Sequence, residues 1–476
     1  MHAKLTTLVA AAAVAASPLL PDGPDATDLL LPELSPCSAV SAGRSDVLSG
    51  PRTPRRDGEP GLGADRGREE TPRSTTVSER DLGRAADAFA FDLMRSLGGS
   101  GNLACSPASV YLALMLAWAG AEGETARELA EVLHIASAHD GEPWRREEFL
   151  AAARALLLQA DGADGGPAIA VASALFRQQG HPFEGDYSQA VETRLQAALR
   201  DVDFAGDAPG AREAINAWIQ EATGGRIEEM LSPGTLKETT RLLLANTVTF
   251  DARWMDAFLE EATHSAPFRT HAGGSVSVPT MHRTNYERIL ETDRFQLLEL
   301  RYKIGEGKAF EEGWSMMFLL PREGVALADL EGELTPELLE RWSDALEVAR
   351  VDISLPRFHL RTRTNLSRTL AGMGLSSSLD PQAADFSGID GGVGQLFIDL
   401  VLQQVEVSVH ENGTEAAAAT AVVFRLGSRA TPSKPKVFRA DRPFLFLVRR
   451  HQDGRILFTG RVADPRGGED AAMPTW

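Results

Sequence analysis

Residues 411–423 read Glu-Asn-Gly-Thr-Glu-Ala-Ala-Ala-Ala-Thr-Ala-Val-Val, and no other stretch constrains this chain as much. They follow an apolar run, Leu396 to Val409, that reads as a strand, and they lead into Phe424-Arg425-Leu426-Gly427-Ser428-Arg429-Ala430-Thr431-Pro432-Ser433. The alanines alone favour helix. The β-branched Thr414, Thr420, Val422 and Val423 fit a pleated sheet better. At period two, Thr414, Ala416, Ala418, Thr420 and Val422 share one face, and none is charged; Glu415 lies on the other face. Such a segment can enter a sheet as an extra strand without burying a charge. An alanine-rich surface loop with no task would look the same in isolation.

The rest of the chain supplies the setting. Its 476 residues give a soft prior near three domains at about 150 each. A net charge of −19 repels phosphate and anionic lipid, which disfavours a nucleic-acid partner. Two cysteines, Cys37 and Cys105, have neither metal-ligand nor redox spacing. Met1 to Ala16 reads as an export signal, one lysine followed by an apolar run and a small-x-small site at Ala13-Val14-Ala15, so that residues 1–20 form a signal peptide. It is too short to span a bilayer comfortably. Residues 21–77 are rich in Pro, Gly, Asp, Arg and Ser and read as a disordered leader or tether. Cys37 follows Leu34-Ser35-Pro36, only a faint lipid-attachment box; the proline and the distance from the start argue against one. These features place the protein outside the cytoplasm, secreted or tethered to an envelope.

Order is expected from Ser78. Leu82, Ala86, Phe89, Leu93 and Leu97 recur at helical spacing, closed by Gly98-Gly99. Ala108 to Gly120 is a nearly apolar, central helix, and Thr125 to Leu133 a third, with Glu124, Arg127, Glu128 and Glu131 on its wet side. His134 then ends that helix as a structural residue. Ala168 to Phe176 and Leu242 to Phe250 read as strands, Ala211 to Gly224 and Pro336 to Leu346 as helices. Ser315 to Leu320, Ala349 to Leu355, Phe444 to Arg449 and Ile456 to Val462 are further strands. Helices first and strands later indicate an α+β domain over 78–466, with a tail at 467–476. Hydrolase elbows, zinc-binding His-Glu-x-x-His, phosphate loops and dinucleotide fingerprints are missing, and the ten histidines are scattered. Nothing calls for a metal or a cofactor.

From about residue 78 to 466 the chain resembles the serpin family. The resemblance is carried by the hinge Glu411 with Gly413-Thr414-Glu415 and Ala416, Ala417, Ala418, Ala419, and by Asn102-Leu103-Ala104-Cys105-Ser106-Pro107-Ala108-Ser109-Val110 with Gly120-Ala121-x-Gly123-x-Thr125. Asn246-Thr247-Val248-Thr249-Phe250 with Trp254 and Phe258 continues it. Leu319-Leu320-Pro321, Leu355-Pro356-Arg357-Phe358, Met373-Gly374-Leu375, Ala384-Asp385-Phe386-Ser387-Gly388 and Phe438-Arg439-Ala440-Asp441-Arg442-Pro443-Phe444-Leu445-Phe446 follow in order. The resemblance implies helices packed on a large mixed β-sheet, two further sheets and an exposed reactive-centre loop over 411–433. It also implies a shutter at Ser106, Ser109 and Asn246 and a breach at Trp254. Ser106 reads equally as a helix cap, and Trp254 as core filling. Gln403 stands where many serpins carry a shutter histidine, so the network is expected to persist without titrating near neutral pH.

The implied function is suicide inhibition by a monomer. A target serine protease forms its acyl-enzyme on the loop, cleavage frees the hinge, and the loop inserts as a new central strand. About ten new ladder hydrogen bonds, at roughly 1 kcal/mol each, favour insertion by on the order of 10 kcal/mol. Counting seventeen residues from Glu411 puts the reactive bond at Gly427-Ser428; Arg425, Leu426 and Arg429 are the alternatives, the arginines suiting a trypsin-like enzyme. The rival readings are a non-inhibitory serpin acting as a binding or chaperone-like protein, and a Ser-His-Asp hydrolase that lacks its elbow.

Overall fold

The computed structural model describes residues 79–136, 146, 160–161, 165–180, 184–192, 198–309, 312–392, 396–414 and 434–467. The signal and leader at 1–77, Cys37, Glu415 to Ala419, Arg425, Leu426, Gly427, Ser428 and Arg429, and the tail beyond Gly467 lie outside the described residues.

The first helix, α1, is Glu79–Leu97, and Gly98 and Gly99 end it with φ of 54° and 76°, conformations that glycine adopts without strain. Helix α2, Pro107–Ala119, is apolar on every side because every side is covered: all thirteen residues are buried. Helix α3, Gly123–Val132, differs from expectation at one residue. Glu128 is only 8% exposed, and its carboxylate accepts from the backbone N–H and hydroxyl groups of both Ser376 and Ser377. Burial works against that charge, but the four hydrogen bonds outweigh it and hold the carboxyl below its ordinary range. His134 lies two residues beyond the helix at φ 56°, with ring Nε2 2.7 Å from Asp92 Oδ2.

The described residues contain sixteen strands, in chain order β1 Leu103–Cys105, β2 Ala160–Asp161, β3 Ala168–Gln178, β4 Ala198–Val202, β5 Leu242–Arg253, β6 His264–Arg269, β7 Ser275–Glu291 and β8 Phe295–Arg301. Then come β9 Trp314–Pro321, β10 Glu347–Pro356, β11 Phe358–Asn365, β12 Ile398–His410, β13 Gly413–Thr414, β14 Lys436–Arg439, β15 Phe444–Arg450 and β16 Ile456–Val462. One mixed sheet runs β11-β12-β13-β5-β3-β2, with β4 beside β3. The two further sheets that were expected are continuous through hydrogen bonds, in the order β1-β16-β15-β9-β8-β7-β10-β14 with β6 on β7. Strand β7 joins them: it pairs with β6 and β10 along most of its length and with β8 through Arg288 to Glu291. Helix α2 sits between β3 and β5 of the first sheet and β16 of the second, so its burial seals both sheets into one core. A second apolar layer, including Ile215, Ile219 and Phe204, covers the opposite face of the first sheet around Leu243, Ala245, Leu400 and Leu402.

Candidate functional site

The site is a parting in the first sheet. Strands β5 and β12 run parallel and pair directly from Ile398–Leu242 to Gln404–Thr247. Above that level, among the described residues, no ladder joins Val248–Asp251 to Val405–Ser408, although each strand stays paired on its outer side. At the top, β13 fills the parting: Gly413 and Thr414 pair antiparallel with Arg253 and Ala252 of β5, and with His410 and Val409 of β12. The two hinge residues are thus already central-strand residues.

Each has a local reason. A Cβ at position 413 would stand 2.0 Å from Ala252 O, so only glycine fits that close against β5. Thr414 turns inward, 2% exposed, with Oγ1 2.7 Å from the Tyr302 hydroxyl. Tyr302 stacks on Trp254 at 4.6 Å, and both rings are buried. Trp254 Nε1 donates to His410 O at 3.0 Å and its backbone N–H to Asn412 O at 2.9 Å. It is therefore both core and floor of the parting, which joins the two readings its sequence left open. Phe258 N–H completes the seat by donating to Glu411 O at 2.9 Å.

Glu411 is the anchor. It is 3% exposed, with Oε1 2.7 Å from Arg357 Nε and 2.5 Å from Arg357 Nη2, and it accepts from the Thr263 hydroxyl as well. Burial raises the cost of its charge, but the bonds from Arg357 and Thr263 together hold the carboxyl below its usual range.

Below the parting lies a second cluster. Gln403 and Asn246 are register partners across the β12–β5 seam. Gln403 Oε1 accepts from Ser106 N–H at 3.2 Å, while its Nε2 donates to Ser106 O and Ser109 Oγ, both at 2.8 Å. Asn246 Nδ2 donates to Ser109 O at 2.8 Å and to Ser173 Oγ at 2.7 Å. Ser109 Oγ in turn donates to Ser106 O at 3.0 Å. Ser106 does not cap α2: its hydroxyl donates to Leu457 O at 2.8 Å, tying the helix start to β16 instead. No ionisable side chain belongs to this network. Tyr302, Arg357 and Thr263 did not stand out in the sequence as site residues. Tyr302 continues the inward alternation of Leu298 and Leu300, and that was the available signal; Arg357 and Thr263 meet Glu411 only through the fold.

A mixed sheet that parts at one end to seat two residues of a short central strand, stapled below to a buried helix, is the architecture that the comparisons with known proteins identify. Residues 84–465 match the family model described as serpin (serine protease inhibitor), and the chain belongs to the serpin family. It is 36% identical over 393 residues to an uncharacterized serpin-like protein of Thermococcus kodakarensis, covering 82% of this chain and 87% of that one. Over 402 residues it is 33% identical to the leukocyte elastase inhibitor of Bos taurus, covering 81% and 99%. Human thyroxine-binding globulin complexed with thyroxine shares the fold, with a TM-score of 0.72 at 24% identity over 82% of this chain and 100% of that one. Proteins of this family are in the main protease inhibitors, not enzymes. Among the described residues no helix is long and apolar enough to cross a membrane.

Proposed function

We propose that this protein is a suicide inhibitor of serine proteases that traps its target by inserting the loop 411–433 into the parted sheet. The observation that carries the reading is β13. Gly413 and Thr414 occupy the upper end of the parting in strand register, and the uncharged, alternating small residues after them suit its continuation. The wedge of Tyr302 and Trp254 beneath Thr414 supports the same reading, as does the network at Ser106, Ser109, Asn246 and Gln403, which must let the seam open. The gain from inserted ladder bonds is smaller than loop length alone suggests, because the direct pairs between β5 and β12 are lost as the loop descends. The reactive bond is Gly427-Ser428, with Arg425, Leu426 and Arg429 as alternatives, and the target forms a covalent acyl complex with one inhibitor molecule. The signal peptide at 1–20 directs the protein out of the cytoplasm, and residues 21–77 follow it as a leader or tether.

The test is incubation with trypsin, chymotrypsin, elastase and subtilisin, followed by denaturing gels and the mass of the released carboxy-terminal peptide. A detergent-stable complex is expected, with the peptide mass identifying the bond. Thr414→Arg should turn the inhibitor into a substrate, because a cation at a position already buried in β13 would expel the hinge from the sheet, and burying it again on insertion would cost several kcal/mol. Covalent complexes at wild-type stoichiometry from that variant would overturn insertion. Loop cleavage without any complex would favour a non-inhibitory binding protein.

A further inference from the structure

The chain has six asparagines, and one of them, Asn412, is followed by glycine. The other five have their side-chain amides tied down. Asn102 donates to Asp464 O at 2.8 Å and accepts from the N–H groups of Ala463 and Asp464. Asn216 donates to Leu231 O and accepts from the N–H groups of Met230 and Leu231. Asn246 is held by Ser109 and Ser173, Asn365 accepts from Ser367 N–H, and Asn285 donates to the Glu287 carboxylate. Asn412 differs. It lies half-buried in the two-residue turn, Glu411 and Asn412, between β12 and β13, and its amide makes no hydrogen bond among the described residues. The bonds that seat this turn run to the backbone carbonyls of His410, Glu411 and Asn412 instead.

An unheld asparagine amide beside glycine is an electrophile next to its own nucleophile, because glycine has no Cβ to obstruct the approach of its nitrogen. The Gly413 nitrogen gives its proton to hydroxide and attacks Asn412 Cγ. The bond from Cγ to the amide nitrogen breaks, ammonia leaves with a proton from water, and a five-membered succinimide closes. Water then opens the ring at either carbonyl, giving aspartate or isoaspartate at position 412. Both products carry a new carboxylate, and in isoaspartate the backbone runs through the side chain and is one methylene longer. The seat has no slack for this, since even a Cβ on Gly413 would stand 2.0 Å from Ala252 O. The new charge also arrives beside Glu411, itself 3% exposed and dependent on Arg357 and Thr263 for its own charge. We propose that Asn412 is a site of spontaneous deamidation, and that its reaction with Gly413 unseats β13 from between β5 and β12. A hinge out of register inserts more slowly, so the modified molecule is cleaved as a substrate. That consequence rests on the inhibitory reading above; the chemistry of the turn does not.

The experiment incubates the full chain for several days in mildly alkaline buffer. Wild type, Asn412→Gln and Asn412→Asp are each compared with their own fresh sample, and wild type unfolded in urea gives the unprotected rate. The readouts are the mass of the hinge peptide, labelling by an isoaspartate-specific methyltransferase, and the fraction forming detergent-stable complexes with trypsin, chymotrypsin, elastase or subtilisin. The wild-type hinge peptide should gain about 1 Da and accept the label, at a rate within about tenfold of the unfolded chain. The complex-forming fraction should fall in step with that gain. Asn412→Gln should keep both its mass and its own starting fraction, because its longer side chain closes a ring more slowly. Asn412→Asp should start with a lower fraction than the wild type. A folded chain that gains no mass at Asn412, while the unfolded chain does, would show that the seat protects the amide and would overturn the proposal. A mass gain that leaves the complex-forming fraction unchanged would overturn the unseating. No complex from the fresh wild type with any of the four enzymes would overturn the inhibitory reading, and the mass of the hinge peptide would still decide the modification.

Discussion

At Glu411, burial and charge pull in opposite directions, and the partners decide the outcome. The carboxyl is buried against Thr263 while the Arg357 side chain, at 43% exposed, stays half in water, so the pair is worth less than a fully buried one. A folded-state pKa held below the unfolded value means that the unfolded chain binds the extra proton first. The contribution of Glu411 therefore stands in full above the ordinary glutamate range near 4.3 and is lost as the pH falls through the lower folded value. Glu411→Gln should cost about 1–2 kcal/mol at pH 7, and the gap to wild type should close below about pH 4 in thermal melts. A gap that stays constant across pH 3–7 would show that the charge of Glu411 is not what anchors the hinge. Gly413 shows the complementary case, where the constraint is steric and comes from the neighbouring strand's carbonyl, not from the glycine's own partners.

Among elements, the important joint is the one that α2 makes across the seam between β5 and β12. Gln403 gives it one acceptor and two donated bonds, and all its partners are buried. Gln403→Leu would strand Ser106 N–H and remove two donors, an expected loss of about 2–4 kcal/mol. Wild-type melting temperature should be insensitive to protonation at this joint, whereas Gln403→His should introduce a slope around pH 6.5. Identical pH profiles for the two would place the imidazole outside the network. Much at this scale could be read from the sequence. Helix α2 announced itself through thirteen consecutive positions without a charge, and β12 through its recurring apolar residues Ile398, Leu400, Val401, Leu402, Val405, Val407 and Val409. Strands β6 and β7 did not, because an edge strand tolerates Pro267, and β7 alternates into solvent with polar residues on its open side. The Tyr302–Thr414 contact joins residues 112 positions apart, and periodicity along the chain carries no information about such a pair.

For the whole molecule, the proposed mechanism requires that the exposed-loop form is not the most stable one. Cutting anywhere within the loop should release its amino-terminal part into the sheet. We expect the melting temperature to rise by about 10 °C or more after limited cleavage, as read by calorimetry on the nicked but undissociated chain. An unchanged or lower melting temperature would mean that the sheet does not accept the loop. Helix α2, packed against both sheets, gives such a rearrangement a fixed frame, since its contacts with β16 do not depend on the seam.

The seam itself has a consequence for time. Six register pairs, from Ile398–Leu242 to Gln404–Thr247, hold β5 to β12 below the parting, and the proposed insertion requires them to separate in sequence from the top. Such a zipper sets a waiting period. Under the proposed mechanism its length governs how long an uncut molecule withholds insertion during storage, and also how quickly a cut one closes on its captive before the acyl bond hydrolyses. The same few pairs would then act as a clock for both shelf life and capture, and any change that slows one would slow the other.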